Sequence, residues 1–126
     1  MSAEARAIIG FHDFSAFRSI NDRREDTRRT LSCVSIERDP GDQRVICWAI
    51  QGDHFLMHMV RIIIGTLIDI GRGRLEPGAF RRALTSCNRR DLGMTAPPFG
   101  LYLDQVQLTN AGTDRWPQVD EATVVT

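Results

Sequence analysis

The sequence predicts an α+β domain, an antiparallel sheet with helices packed on one face. Three observations carry that prediction. Two apolar runs, residues 31–36 and 45–50, flank a Pro40-Gly41 turn, the pattern of an antiparallel hairpin. Residues 54–73 (HFLMHMVRIIIGTLIDIGRG) are apolar nearly all round at helical spacing, so this helix belongs inside a domain. A last alternating stretch, residues 100–108, completes the order α, β, β, α, α, β.

Taken in order, residues 3–9 read as a short helical segment stopped by Gly10. Residues 11–17 set Phe14 and Phe17 three apart, a turn of helix that turns two rings inward. Residues 19–28 (SINDRREDTR) are polar and dense in charge, an exposed loop. The hairpin strands follow, with Cys33 and Cys47 read as small core residues. Asp53 stands where the long helix needs an N-cap, and Gly71 and Gly73 end that helix. A second helix opens near Glu76-Pro77 and carries Phe80, Ala83 and Leu84 at helical intervals. Residues 88–98 hold turn formers and breakers. In residues 100–108 (GLYLDQVQL) the alternation slips between Leu103 and Val106, which predicts a bulge or a change of buried face. Residues 109–126 show no periodicity and read as a flexible C-terminal tail, leaving residues 1–108 as the domain.

The length of 126 residues suits one domain, and 42% hydrophobic content suits an ordinary globular protein. A formal net charge of zero gives no bulk-charge argument for nucleic-acid binding. All 16 basic residues are arginine. The simplest source is the codon usage of a GC-rich genome, although arginine is also the better bidentate phosphate ligand. Three cysteines without C-x-x-C spacing argue against a disulfide framework or a zinc site, and no metal is expected. Free thiols suit a reducing cytosol, so a cytoplasmic location is expected. The first ten residues lack the charged and apolar regions of a signal peptide. The run over 55–70 is broken by His58, Arg61 and Gly65, and is too short and too charged for a membrane span.

Arg61 is the anomaly of the long helix. Guanidinium stays charged at any working pH, and an unpaired buried charge is very costly. Its helical neighbours three and four residues away are His58, Met57, Ile64 and Gly65, none of them a carboxylate. Its anionic partner therefore has to come from outside this helix. Surface snorkelling of the head group is the plainer alternative. His58 is placed one turn earlier on nearly the same face, either beside that partner or as an ordinary helix histidine.

The same stretch carries a resemblance. H-x-M-V-R followed by I-I-I-G-T-L-I-D-I-G-R-G resembles the signature helix of the TruA-type tRNA pseudouridine synthases. Three further segments agree in order: F-H-D-F-S-A-F-R at 11–18, R-T-L at 29–31, and T-A-P-P-F-G-L-Y-L at 95–103. The likeness covers roughly residues 5–108 and matches the C-terminal half of that family. The G-R-T-D-x-G-V-H-A motif that carries the family's nucleophilic aspartate has no counterpart in this sequence.

The resemblance implies a pseudouridine synthase-like C-terminal subdomain. It would take part in converting uridine to pseudouridine in the anticodon stem-loop of tRNA, without metal or organic cofactor. Arg61 would pair with the missing catalytic aspartate, and Leu101 would shield the target base. Arg28, Arg29, His58 and Tyr102 would face RNA. Phe99 stands where family members often have histidine, which removes one polar contact at the pocket rim. The expected partners are tRNA, a missing N-terminal catalytic half or second chain, and a second copy of this chain in a homodimer. A stand-alone RNA-binding or dimerisation module without catalysis is the alternative.

Overall fold

A computed structural model describes residues 2–107 and 118–125, with side chains for 3–99 and 101. Helix α1 (Ser2–Ala5) runs into a 3-10 turn at Arg6–Ile8 and then strand β1 (Gly10–Asp13). A 3-10 turn at Ser15–Phe17 precedes β2 (Arg28–Arg38) and β3 (Ile46–Gly52). Helices α2 (Met59–Gly71) and α3 (Ala79–Ser86) follow, then β4 (Leu101–Gln107) and β5 (Gln118–Val125). The strands form one antiparallel sheet in the order β1-β2-β3-β5-β4. The fold is the α+β arrangement that the alternation of strand and helix patterns predicts.

The hairpin of β2 and β3 turns through residues 39–45, where the Asp39 carboxylate accepts from Gly41 N–H at 2.7 Å. Its register shifts between Leu31 and Cys33. That shift decides which side chains face the helices. Leu31 is buried, and beyond the shift Val34 and Ile36 pair with Ile50 and Trp48 and pack on the core. Cys33, the next residue in a strict period of two, is therefore exposed, and Cys47 is half-buried opposite Glu37. Neither cysteine is a core residue: the irregular pairing takes Cys33 off the face of Leu31, and Cys47 alternates with the buried Trp48.

The core lies between the inner sheet face and the helices. Leu31, Trp48 and Ile50 from the sheet meet Met59, Ile62, Ile63, Ile64 and Leu67 from α2 and Phe80 from α3, each fully buried. Burying each such side chain contributes roughly 1.5–3 kcal/mol. Phe14 and Phe17 are both buried, with ring centroids 5.2 Å apart in an edge-to-face pair. The expected turn between them is the 3-10 turn. The sequence pattern did not indicate β1, which is four residues of mixed polarity paired with the first four residues of β2.

Helix α3 begins at Ala79 rather than at 76, and its start is fixed from a distance. The Glu4 carboxylate accepts from Gly78 N–H at 2.8 Å and Phe80 N–H at 3.0 Å. Helix N-termini leave such donors without partners and attract negative charge. Helix α2 likewise begins at Met59, so Asp53 is not its cap. Asp53 instead accepts from Thr30 N–H at 3.1 Å and His54 N–H at 2.8 Å, tying the end of β3 to β2.

The charged segment 19–28 is docked rather than free. Asp22 is buried and accepts from Met57 N–H at 2.7 Å, Ser19 N–H donates to Met57 O at 2.9 Å, and Arg24 Nη1 donates to Phe55 O at 2.6 Å. The backbone ahead of α2 has polar groups to satisfy, and this segment satisfies them. The expected tail also divides. Gln118–Val125 form β5, paired with both β3 and β4, while residues 108–117 lie outside the described residues. Pairing on both edges specifies β5, and such partners are invisible to local periodicity. The bulge expected in β4 is present, as register shifts on both sides of Gln105.

Candidate functional site

Arg61 occupies the first turn of α2, not its middle, and is half-buried. Its partner is not a carboxylate. The Nε–H donates to the Ala96 carbonyl at 2.7 Å, and the bond is returned by Ala96 N–H to the Arg61 carbonyl at 3.0 Å. Among the described residues no acid forms an ion pair with Arg61. Among the described residues the two Nη groups are thus the unengaged end of the guanidinium, four donors in a planar fork.

Ala96 belongs to a strap, residues 93–96, that runs along α2. Gly93 N–H donates to Thr66 Oγ at 2.9 Å, and Met94 N–H donates to Asp69 Oδ2 at 3.0 Å. Thr66 is fully buried and donates its own hydroxyl to Ile62 O at 2.8 Å. At Gly65 a Cβ would overlap the Met94 carbonyl, so only glycine lets the strap lie this close. Arg61, Gly65 and Asp69 are four residues apart and form one stripe of the helix. Next to the Arg61 contact, Thr95 Oγ accepts from Arg89 Nη2 at 3.2 Å. Burial holds the Arg89 guanidinium below the ordinary arginine range, with no carboxylate among the described residues paired to offset it.

His58 is not on the Arg61 face of a helix. It precedes α2 as an exposed residue in the left-handed conformation, φ 62°, and its carbonyl accepts the Ile62 N–H. Arg28 is exposed at the start of β2 and paired with Asp26 at 3.1 Å. The Asp26 hydrogen bond raises the Arg28 pKa, and the same contact lowers that of Asp26. Arg29 turns inward instead of toward solvent, 4% exposed. Its Nη1 donates to the Asp26 and Arg28 carbonyls, while its Nε has no partner among the described residues. Leu101 opens β4, partly buried against the core. Tyr102 is paired in backbone register with Thr123, and its side chain lies outside the described ones.

The structure therefore joins Arg61 to the segment 93–96 that leads into β4, and it separates Arg28 and Arg29 by face. Sequence reasoning read Gly65 only as a break in the apolar run and Asp69 only as a reserve nucleophile, and gave no role to Thr66 or Arg89. The available signal was a glycine inside an otherwise apolar helix, with a carboxylate four residues on. Among the described residues no group of three or more His, Cys, Asp or Glu is placed to hold a metal ion. No described helix is long and apolar enough to cross a membrane.

Comparison with known proteins identifies the family. A family model described as tRNA pseudouridine synthase matches residues 5–107. The chain is 41% identical over 106 residues to a tRNA pseudouridine synthase A of Acetivibrio thermocellus, covering 84% of this chain and 42% of that protein. Proteins of the same name from Brevibacillus brevis and Geotalea uraniireducens are 39% and 43% identical over 106 residues, with the same coverage. The chain spans less than half the length of these curated relatives. With a family match over most of its residues, the chain belongs to the tRNA pseudouridine synthase family.

Proposed function

We propose that this chain is the arginine-bearing part of a tRNA pseudouridine synthase, acting on uridine in the anticodon stem-loop of tRNA. The target base is flipped out, because a stacked base is unreachable. Its glycosidic bond is broken and the ring is rejoined through carbon. The nucleophilic aspartate comes from outside these 126 residues, in an N-terminal catalytic half or a second chain. The observation that carries this reading is Arg61: one donor tied to Ala96 and, among the described residues, two Nη groups unengaged and no carboxylate paired with it. A guanidinium in that state is suited to keep an incoming aspartate ionised and oriented, as a nucleophile requires. Leu101 packs beside the base. Arg28, His58 and Tyr102 face RNA, while buried Arg29 braces the strand end behind Arg28. Two copies form the complete RNA-binding unit.

The test is tritium release from uridine-labelled tRNA. The chain alone should release no more than a no-protein control. The chain joined to the remaining part of the Acetivibrio thermocellus relative should turn over, and Arg61→Met should abolish that turnover. Turnover by the chain alone would overturn the reading. An inactive joined protein that still binds an anticodon stem-loop tightly would favour a non-catalytic RNA-binding module.

A further inference from the structure

We propose that the strap at residues 93–96, with its seats at Gly65, Thr66 and Asp69, is the device that positions Arg61. The inference rests on the reading above for what Arg61 acts upon, but not for the device itself. An arginine side chain at a helix start is long and freely rotating. Here its direction is set by one oxygen, the Ala96 carbonyl, and Ala96 is buried at 3% exposure. The question is then what places Ala96.

Five contacts place it, four on the stripe of Arg61, Gly65 and Asp69 and one at Thr66 beside it. Residues 96 and 61 exchange two hydrogen bonds. The Met94 carbonyl fills the space that a side chain at position 65 would occupy. The Met94 and Gly93 N–H groups are held by Asp69 and Thr66. A Cβ on Gly93 would in turn come within 2.6 Å of the Asp69 carboxylate and 2.9 Å of Thr66 Cα. Both glycines are thus close-approach residues, one on each side of the same seam. Asp69 lies eight residues from Arg61 on this stripe, a rise of about 12 Å, too far to pair with it. Its charge serves the strap, which leaves the Nη end of Arg61 for a carboxylate from elsewhere.

Gly65, Thr66 and Asp69 are accordingly positioning residues, since none touches the reacting atoms. Misplacement of about 1 Å at a reacting centre costs on the order of 100-fold in rate. Loosening the strap should therefore lower kcat and leave the KM for tRNA in place.

The test has two readouts. The first is the arginine Nε–H NMR spectrum of the 126-residue chain, with the Arg61 signal assigned by its loss in Arg61→Lys. That signal should be dispersed and slow to exchange. In Thr66→Val and Gly65→Ala it should move to the solvent-exposed arginine position and exchange at least about 10-fold faster. Thr66→Ser, which keeps the hydroxyl, should restore it. The Trp48 indole signal monitors the fold, and Thr66→Val preserves the test if Gly65→Ala does not fold. An Arg61 signal already solvent-like, or unchanged in Thr66→Val with Trp48 native, would overturn the proposal. The second readout uses the joined protein. Thr66→Val should reduce kcat about 10-fold at unchanged KM, and an unchanged kcat would refute the positioning role. Failure of the joined protein to turn over at all would count against the functional reading while the NMR result stood.

Discussion

Two sets of arginines in this chain are held in opposite ways. Arg24, Arg28 and Arg44 each follow an aspartate by two residues, and each repeats one local device. The aspartate Oδ1 accepts the arginine backbone N–H at 3.0 Å, and its carboxylate lies 3.0–3.8 Å from the guanidinium. Arg61 and Arg89 are held by uncharged oxygens of consecutive residues, Ala96 and Thr95, with no acid paired to either among the described residues. The first set is neutralised where it stands. The second is oriented but keeps its charge. Net charge zero conceals this difference, which is one of position rather than count.

The largest expected effect lies in the neutralised set, at Asp22. Its carboxylate is buried, which pushes its pKa up, but N–H groups of Met57 and Arg24 and the nearby Arg24 and Arg18 charges hold the group below its ordinary value. Asp22→Ala orphans those two donors and should cost about 2 kcal/mol in urea melts at neutral pH. The sign of the pH dependence follows from the lowered value. The contribution is complete above the unfolded carboxyl range, near about 3.9, and is lost as pH falls through the folded value below it. The stability gap between the two proteins should stay level down to about pH 5 and narrow below about pH 4. A gap that widened in acid would show that burial, not hydrogen bonding, dominates at Asp22.

The next effect belongs to the oriented set. Arg61→Met removes one charge-assisted bond and leaves the buried Ala96 carbonyl without its donor. The side chain is half-exposed, so water compensates in part, and the expected loss is about 1 kcal/mol. Equal or greater stability of Arg61→Met in urea melts would mean that desolvating the charge outweighs its bond, as in buried pairs.

This contrast also explains what the sequence made legible. The hairpin, the apolar helix and the irregularity in β4 were readable because each depends on neighbours close in sequence. The start of α2 was not. It is set at His58 in a left-handed conformation and by Asp22, 35 residues before Met57. Arg61 was readable as an anomaly needing an outside partner, yet its partner is a carbonyl 35 residues later. Gly65 read as a break in an apolar run, and only the strap gives it meaning. Arg28 and Arg29 looked equivalent because adjacent strand residues differ only by face, and the face is decided by what packs beneath.

The smallest effect on stability, and the most direct probe of the contrast, is Asp26→Asn. Both members of the Asp26–Arg28 pair are more than 60% exposed on their side chains, so solvent screens them and the melting point should not move measurably. RNA binding should change in the other direction. Asp26 now offsets the Arg28 charge, and Asn, which can accept the same hydrogen bond but carries no charge, would leave that charge available to a phosphate. Each phosphate contact adds roughly 0.7–0.9 to the slope of log affinity against log salt. Fluorescence anisotropy with an anticodon stem-loop across a salt series should show Asp26→Asn steepening the slope by up to one such contact. Arg28→Gln should change it by less than that, because the wild-type charge is already shared. Arg29→Gln should not alter the slope, since this guanidinium is buried against its own backbone. If instead Arg28→Gln flattened the slope by a full contact and Asp26→Asn left it unchanged, the local aspartate would not be masking Arg28, and the division between neutralised and available arginines would fail at this site.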